Sequence, residues 1–276
     1  MLTLFTHVKG QDHTVAQTAG PSVASPRALA TGAGAGAGAG VATGSGRTRS
    51  RREQARDATT REIRTTARGL LVTQGPDALT LRAIARAMGI SAPALYRYFD
   101  SHEAIVAALC SDVLAEITET LEQARDSASA EPPVRRLGVT CRAFRGWALA
   151  HPREFQLIFA SPAEGPPRGH DQVDDNFSFG AVFLGLFVEI WQDHPFAVHS
   201  EAELPAGLLA QLRTFSAYVD GVLPLGALAA YLAGWVRLYG AVTVEVFGHL
   251  GFALTDAEPM FEVMLADMAR QLSTPA

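Results

Sequence analysis

The end of the segment ISAPALYRYF, residues 90–99, carries side chains suited to contact with nucleic acid. Tyr96 and Tyr98 each hold a hydroxyl on a rigid ring, which suits hydrogen bonds to sugar–phosphate oxygens that fix register without reading sequence. Arg97, between them, has the guanidinium that can bond a guanine edge with two parallel hydrogen bonds. The segment therefore predicts a nucleic-acid contact, and packing of either tyrosine into the core is the alternative.

The start of the same segment has little bulk. Residues 92–94 are Ala, Pro and Ala, so a helix that begins there can approach base edges closely. Pro93 falls in the first turn after a cap at Ser91, where its missing N–H removes no intrahelical hydrogen bond. Leu95 and Phe99, four residues apart, are predicted to anchor this short helix from behind.

Two helical patterns precede this segment. In residues 57–74 the apolar side chains fall on one helical face; they are Ile63, Ala67, Leu70 and Leu71. Thr80 is placed to cap a second helix, and Gly89 to give that helix a left-handed exit. Two short helices joined by MGIS, with a third helix behind them, predict a helix-turn-helix.

The formal charge of −5 is divided unevenly along the chain. Residues 47–100 hold eleven arginines and five carboxylates, whereas residues 101–276 hold ten arginines and twenty-two carboxylates. The basic front is thus the part with the helix-turn-helix pattern. Its arginine run RTRSRREQAR, residues 47–56, is predicted to be an arm that follows phosphates or enters a minor groove, with a solvated linker as the alternative.

The stretch GPDALTLRAIARAMGISAPALYRYFDSHEAIVAAL resembles the N-terminal DNA-binding domain of TetR-family transcriptional regulators, and the match extends over residues 57–109. The resemblance implies that Thr80 holds a phosphate, that Arg82 matches a side chain that reads guanine in some members, and that the two tyrosines clamp phosphates. His102 stands where the family usually has a lysine. The predicted DNA-binding residues are Thr80, Arg82, Ser91, Ala92, Pro93, Ala94, Tyr96, Arg97, Tyr98 and His102.

The resemblance also implies an overall organisation. We expect an all-α fold with an N-terminal three-helix helix-turn-helix domain and a larger helical domain for ligand binding and dimerisation. The expected function is sequence-specific DNA binding by a ligand-responsive homodimer, usually a repressor in this family, on a near-palindromic operator. The expected partners are operator DNA, an unidentified small molecule and a second copy of the chain, in the cytoplasm and at the nucleoid.

The predicted domain boundaries follow composition. Residues 1–46, with GAGAGAGAG, are expected to be disordered, 47–56 to be the basic arm, 57–109 the DNA-binding domain and 110–276 the effector and dimerisation domain. A fourth helix is expected from a cap at Asp100 or Ser101, with Glu103 in a capping box, to about residue 127. Later helices are predicted at 134–150, 176–194, 206–220, 225–250 and 258–272, with a loop between 160 and 175.

The acidic body contains more aromatic surface than a plain helical bundle needs. Phe183, Phe187 and Trp191 follow one another at four-residue steps, and such a stripe is more often core than pocket. Both interpretations stay open. The candidate ligand-binding residues are Trp147, Phe155, Phe159, Phe183, Phe187, Trp191 and Tyr239.

The last two predicted helices are apolar and contain small residues, a pattern that a two-fold four-helix interface would use. The candidate dimer residues are Leu228, Tyr231, Trp235, Phe261, Leu265 and Met268. WALAHPREFQLIF and GWVRLYGAVTVEVFGHL also resemble the C-terminal domain of a TetR subgroup named for a Trp-x-x-x-His-Gly motif. Trp235 and Gly240 match that motif, and Tyr239 replaces its histidine.

Other classes of protein are less well supported. Cys110 and Cys141 form no metal or disulfide pattern, so reduced buried thiols, no metal and no cofactor are expected. The apolar stretch 221–254 is interrupted by Arg237 and Glu245, which argues against a membrane span. An enzyme is the rival class, but the histidines at 151, 170, 194 and 249 have no catalytic spacing. A helical ligand-binding protein or enzyme with a vestigial helix-turn-helix remains the alternative.

Overall fold

The computed structural model of the chain describes residues 50–160 and 170–275, and the side chains of residues 160 and 170–178 are outside that description. The predictions for residues 1–46 and for the loop after residue 160 therefore fall largely outside the described residues. Within them the chain forms ten α-helices and no β-strand, as the all-α prediction requires. A single β-bridge joins Phe196 to Pro275.

The first three helices form the predicted helix-turn-helix arrangement. Helix α1 extends over Arg51–Gln74, and a short 3₁₀ turn, Pro76–Ala78, connects it to α2, Leu81–Ala87. Helix α3 is a single turn, Ala92–Leu95. Their shared core consists of buried apolar side chains on the faces that the sequence pattern predicts. Its members include Ile63, Ala67, Leu71, Leu79, Ile84, Ala85 and Leu95.

Local hydrogen bonds fix where these helices begin. Ser50 and Glu53 form a reciprocal capping box, which starts α1 at Arg51. The predicted cap at Thr80 is confirmed, because its Oγ accepts the N–H of Ala83 at 3.2 Å. Gly89 adopts φ 68°, the left-handed exit predicted after α2. Ser91 precedes α3 as predicted, although its hydroxyl makes no capping hydrogen bond.

Seven more helices follow the helix-turn-helix. They are α4 His102–Ser127, α5 Pro133–Ala150, α6 Pro152–Phe155, α7 His170–Asp193, α8 Ala206–Tyr218, α9 Leu225–Val246 and α10 Glu258–Leu272. A π-helical turn, Gln156–Ala160, continues α6. Ser101 caps α4 by accepting the N–H of Ala104. The prediction of a capping box with Glu103 is wrong, because this cap makes Ala104 the third helical residue.

Helix α4 belongs to both parts of the molecule. It packs against α1 and also against α5 and α7, and its buried residues extend along most of its length. Ile105 and Leu121 mark the extent of this buried face. The division predicted after residue 109 therefore falls inside a continuous helix, and as a domain boundary it stays a prediction.

Ion pairs join α1 to the body. Arg68 donates to both carboxylate oxygens of Glu116 on α4, at 2.6 and 3.2 Å, and its Nε donates to Glu154 on α6 at 3.2 Å. Trp147 donates its indole N–H to the same Glu116 at 3.0 Å. The hydrogen bond from Arg68 holds the pKa of Glu116 below its usual value. Arg64 forms a further ion pair with Asp112 of α4.

Helix α9 is long and apolar enough, by length and composition alone, to cross a membrane. It nevertheless packs against α5, α7, α8 and α10, and buries Leu228 and Leu238 in the body. Arg145 of α5 donates two hydrogen bonds, at 2.7 and 2.6 Å, to Glu245 near the end of α9. The sequence favoured a buried or dimer-forming helix over a membrane span, and these contacts are those of a helix packed within the folded body.

The candidate dimer residues lie mainly inside the protomer. The exposed fractions of five of them are 6% or less, and Trp235 is half-buried. Those five are Leu228, Tyr231, Phe261, Leu265 and Met268. The sequence pattern thus selected the inward faces of α9 and α10, and these side chains are not available to a second copy. The exposed apolar residues of the same helices are Val236, Met260 and Val263.

Three of the candidate ligand-binding aromatics, Phe155, Phe159 and Phe183, pack around Phe144, whereas Phe187 and Trp191 pack against Phe196. The ring of Phe144 lies 5.3 Å from that of Phe179 and 6.2 Å from those of Phe155 and Trp235, measured between centroids. Trp147, Phe155, Phe183 and Phe187 are buried, whereas Phe159, Trp191 and Tyr239 are half-buried. A cavity beside Phe183 and Phe187 has a volume of about 10 Å³, room for a single water. The described side chains of this cluster are part of the hydrophobic core.

Both cysteines are free. Cys141 is buried and Cys110 half-buried. Burial raises the pKa of the Cys110 thiol to about 11, so almost none of it is thiolate at neutral pH. The two side chains therefore act as small apolar groups of the core, as predicted.

Candidate nucleic-acid interface

The first turn of α3 forms the exposed edge of the helix-turn-helix. Ser91 and Pro93 are exposed, Ala92 and Ala94 are half-buried, and Leu95 is fully buried in the core. The turn therefore presents a flat surface without long side chains, supported from behind by Leu95. Such a surface can lie against base edges in a major groove.

After Leu95 the chain leaves the α-helix and tightens. The N–H of Arg97 bonds the carbonyl of Ala94 at 3.3 Å, and the N–H of Tyr98 bonds that of Leu95 at 2.9 Å. Both bonds span three residues, as in a 3₁₀ turn. Tyr96 is 54% exposed, whereas Tyr98 is half-buried against the core. Tyr96 is thus the freer of the two tyrosines that the sequence predicted to contact phosphates.

The start of α2 offers two exposed polar groups beside this surface. The Thr80 oxygen accepts an N–H from its own helix, so its hydroxyl hydrogen is free to donate to a phosphate oxygen. Arg82, two residues later, is exposed. Within the described ranges it has no carboxylate within ion-pair distance. Both positions suit the contacts that the resemblance implies.

His102 makes contacts within the protein that the sequence did not indicate. Its Nε2 hydrogen-bonds the carbonyl oxygen of Leu79, just before the cap of α2. Its Nδ1 lies 3.8 Å from a carboxylate oxygen of Glu103. The ring therefore connects the start of α4 to the start of α2, and one nitrogen remains for any phosphate. Its contact with DNA stays a prediction.

A cleft that the sequence did not predict lies between α1 and the end of α3. Its volume is about 470 Å³, and its lining residues are Arg52, Ala55, Arg56, Thr59, Arg97 and Tyr98. The Arg56 Nη2 lies 3.5 Å from the carbonyl oxygen of Arg97. Because Arg52 and Arg56 lie on α1, part of the predicted arm forms the first two turns of that helix. The pattern Ser-x-x-Glu at 50–53 could have shown this, because it is the signature of a capping box.

The arginines of this surface are not paired with any carboxylate of the described residues. Among the residues that the structure describes, Arg52, Arg56, Arg82 and Arg97 form no ion pair, and none of the described residues cluster as a set of three or more metal-ligating side chains. Guanidinium groups without carboxylates keep their charge available for an external anion. The arrangement suits binding to a phosphate backbone.

Two family models match the chain. One, described as bacterial regulatory proteins of the TetR family, matches residues 63–109, which include the helix-turn-helix. The other, described as a tetracyclin repressor-like C-terminal domain, matches residues 137–268 in the body. The finer resemblance to the Trp-x-x-x-His-Gly subgroup stays a prediction.

Curated relatives and solved structures agree with these matches. The HTH-type transcriptional regulators Mb1846 of Mycobacterium bovis and Rv1816 of Mycobacterium tuberculosis are each 33% identical over 219 residues, which cover 77% of this chain and 91% of theirs. The crystal structure of the regulatory protein SCO4313 is 29% identical with a TM-score of 0.60, covering 79% of this chain and 98% of that one.

A protein of unknown function from Rhodococcus sp. RHA1 shares the fold at 19% identity, with a TM-score of 0.59 over 76% of this chain and 93% of its own. The chain belongs to the TetR family of bacterial transcriptional regulators and is a DNA-binding regulator.

Proposed function

We propose that the chain is a homodimeric, ligand-responsive repressor that binds a near-palindromic operator. The observation that carries this proposal is the flat, exposed first turn of α3 with unpaired arginines on both sides of it. Two copies of α3 enter successive major grooves, about 34–36 Å apart between half-site centres. The bases are read at this turn and by Arg82, while Thr80 and Tyr96 hold phosphates.

The dimer forms through the outer faces of α9 and α10. Val236, Met260 and Val263 are 67%, 59% and 56% exposed, and these large apolar side chains all lie on the last two helices. A groove of about 490 Å³ between these helices is lined mainly by apolar residues that include Val244 and Met260. A two-fold interface buries such a surface against its own copy.

Sedimentation of matched variants tests the dimer. Val236→Glu adds a charge to the proposed interface and is expected to produce monomers that bind operator weakly. Val222→Glu adds the same charge at an apolar residue that is 44% exposed and outside α9, and is expected to leave the dimer intact. If the Val236→Glu variant remained dimeric, the dimer would have to form through another surface.

The effector binds in the body by opening the aromatic cluster. The support is local: the Tyr239 hydroxyl donates to the carbonyl of Phe159 at 2.7 Å and so closes the π-helical turn over the cluster. A ligand with higher affinity for an opened state shifts the dimer toward a spacing that no longer fits the operator. Tryptophan fluorescence against a metabolite panel tests this, since Trp235 is in the cluster.

The regulator acts in the cytoplasm at nucleoid DNA, without enzymatic activity or a cofactor. Membership of a regulator family supports this proposal. His151, one of the candidate catalytic histidines, stacks on Trp147 with 5.0 Å between ring centroids, and its Nδ1 lies 3.0 Å from the carbonyl oxygen of Trp147. Both contacts are those of a packing side chain.

Selection of bound sequences from random duplex DNA tests the proposed function. The full chain is expected to enrich one near-palindromic sequence, and footprinting is expected to show two protected half-sites one helical turn apart. Repetition with the metabolite panel identifies the compound that releases the DNA. Sequence-independent coating of the duplex would contradict the proposal.

A further inference from the structure

The cleft between α1 and the end of α3 brings together three arginines that are distant in sequence. Arg52 and Arg56, one helical turn apart on α1, line it from one side, and Arg97 lines it from the other. Residues 52, 55, 56 and 59 share one face of α1, because they follow the spacing of a helical stripe. The cleft is thus formed by a regular helix face and is not a gap in a flexible loop.

The polar groups of the cleft are mainly donors. A guanidinium has five N–H donors and no acceptor. The Thr59 hydroxyl donates to the carbonyl of Ala55 at 3.1 Å, so its own hydrogen is already used. Within the described part of the chain no carboxylate pairs with Arg52, Arg56 or Arg97. Such a set of donors is complementary to an anion with several acceptor oxygens.

The tightened backbone after Leu95 explains why Arg97 belongs to this cleft. The hydrogen bonds of Arg97 and Tyr98 span three residues, whereas the N–H of Phe99 bonds the carbonyl of Leu95 at 3.0 Å across four, so the backbone tightens over one turn. Ser91 and Pro93 are the exposed residues of the first turn of α3, while Arg97 lines the cleft with α1. The carbonyl oxygen of Arg97 also lies 3.5 Å from Arg56 Nη2, so this residue lies against α1 at the side of the first turn.

We infer that Arg52, Arg56 and Arg97 together bind a backbone phosphate of the DNA, and that Arg97 is a positioning residue and not a base reader. The inference rests on the proposed function, since the phosphate belongs to the operator duplex. A phosphate bound there fixes α1 and α3 to the same DNA strand. The cleft therefore sets the register in which the first turn of α3 meets the bases.

Salt-dependent binding tests the inference on two probes. These are the duplex that the wild-type chain selects and a scrambled duplex of the same length and composition. Arg97→Ala is expected to weaken binding to both by the same factor, about tenfold, because it removes a charge-assisted hydrogen bond to phosphate. The slope of log affinity against log salt falls by about 0.9 for each phosphate that the variant no longer neutralises. The double variant Arg52→Ala with Arg56→Ala behaves in the same way.

Matched variants separate the cleft from general charge and from folding. Arg61→Ala removes one charge from α1 on the side away from the cleft and is expected to keep affinity and slope. Arg97→Lys keeps the charge and is expected to keep most of the slope. Thermal melts of each variant report whether it is folded.

Three outcomes decide the inference. A changed base preference in repeated selection with Arg97→Ala would make Arg97 a base reader and overturn it. An unchanged affinity and slope would also overturn it. If the wild-type chain selects no sequence, the proposed function fails, but the slope on the scrambled duplex still shows whether the cleft binds phosphate.

Discussion

Arginines in the helix-turn-helix and arginines in the body are used in different ways. In α1–α3, Arg52, Arg82 and Arg97 form no ion pair with the described residues. In the body, Arg145 bonds Glu245 through two hydrogen bonds and Arg142 bonds Glu262 in the same manner. Unpaired cations attract a polyanion, whereas paired cations hold helices together.

Helix α1 combines the two uses on different faces. Arg52 and Arg56 line the open cleft, while Arg64 and Arg68 pair with carboxylates of α4 and α6. The same residue type is thus open to an external anion or paired within the described protein according to its position on the helix. Substitutions in the core of the body, at the contact between α1 and the body, and in the helix-turn-helix can each test this contrast.

Truncation of the aromatic core measures how much of the stability lies in the body. Phe144 is fully buried and contacts five aromatic rings. Phe144→Ala is expected to lower the free energy of unfolding by about 3–5 kcal/mol, since it removes a large side chain and leaves a cavity. Phe252, 89% exposed, is the control. Urea denaturation of Phe252→Ala should match the wild type within about 0.5 kcal/mol.

Removal of the arginine between α1 and the body leaves a carboxylate buried. Glu154 is 3% exposed and its partner is Arg68. Arg68→Ala is expected to cost about 2 kcal/mol, because the remaining charge loses its hydrogen bonds. Urea denaturation beside Arg61→Ala, which removes an exposed arginine from the same helix, measures the difference. Equal stability of the two variants would mean that Arg68 does not hold α1 to the body.

Removal of either of two hydroxyls in the helix-turn-helix can distinguish a structural role from a DNA-binding role. Thr80→Ala removes a cap of α2 and is expected to cost about 1 kcal/mol of stability. Ser91→Ala removes a hydroxyl that makes no capping bond, so its melting temperature should not change. Both variants are expected to bind operator less tightly. A destabilised Ser91→Ala variant would contradict this assignment.

Acid titration tests the ion pair between Arg68 of α1 and Glu116 of the body. The hydrogen bond from Arg68 lowers the pKa of Glu116. The interaction between the two side chains therefore stabilises the fold fully above the ordinary glutamate pKa of 4.5, and this stabilisation is lost as the pH falls through the lowered pKa of Glu116. The difference in melting temperature between wild type and Glu116→Gln should be constant from about pH 5 to 7 and shrink in stronger acid. A constant difference at every pH would exclude this linkage.

Local signals in the sequence predicted most of the fold. The cap at Thr80, the exit at Gly89 and the extent of α10, Glu258–Leu272, agree with the structure. They could be predicted because each depends on neighbouring residues only. The start of α1 was misjudged, since an arginine run resembles an arm even when it contains a capping box.

The faces of α9 and the cleft could not be predicted from the sequence. Helix α9 is apolar around most of its circumference, so periodicity does not separate the buried Leu228 from the exposed Val236. The cleft joins Arg56 to Arg97, which are 41 residues apart, and spacing along the chain gives no sign of such a contact. In both cases tertiary packing decides what local patterns leave open.

A paired measurement on Arg82→Ala and Arg145→Ala compares an unpaired arginine with a paired one. For each variant, the affinity for the selected operator and the melting temperature are recorded under the same conditions. We expect Arg82→Ala to lose about 1–3 kcal/mol of operator binding with an unchanged melting temperature, and Arg145→Ala to melt earlier with unchanged affinity while folded. Loss of operator binding by folded Arg145→Ala, or full binding by Arg82→Ala, would contradict the division between DNA-binding and structural arginines.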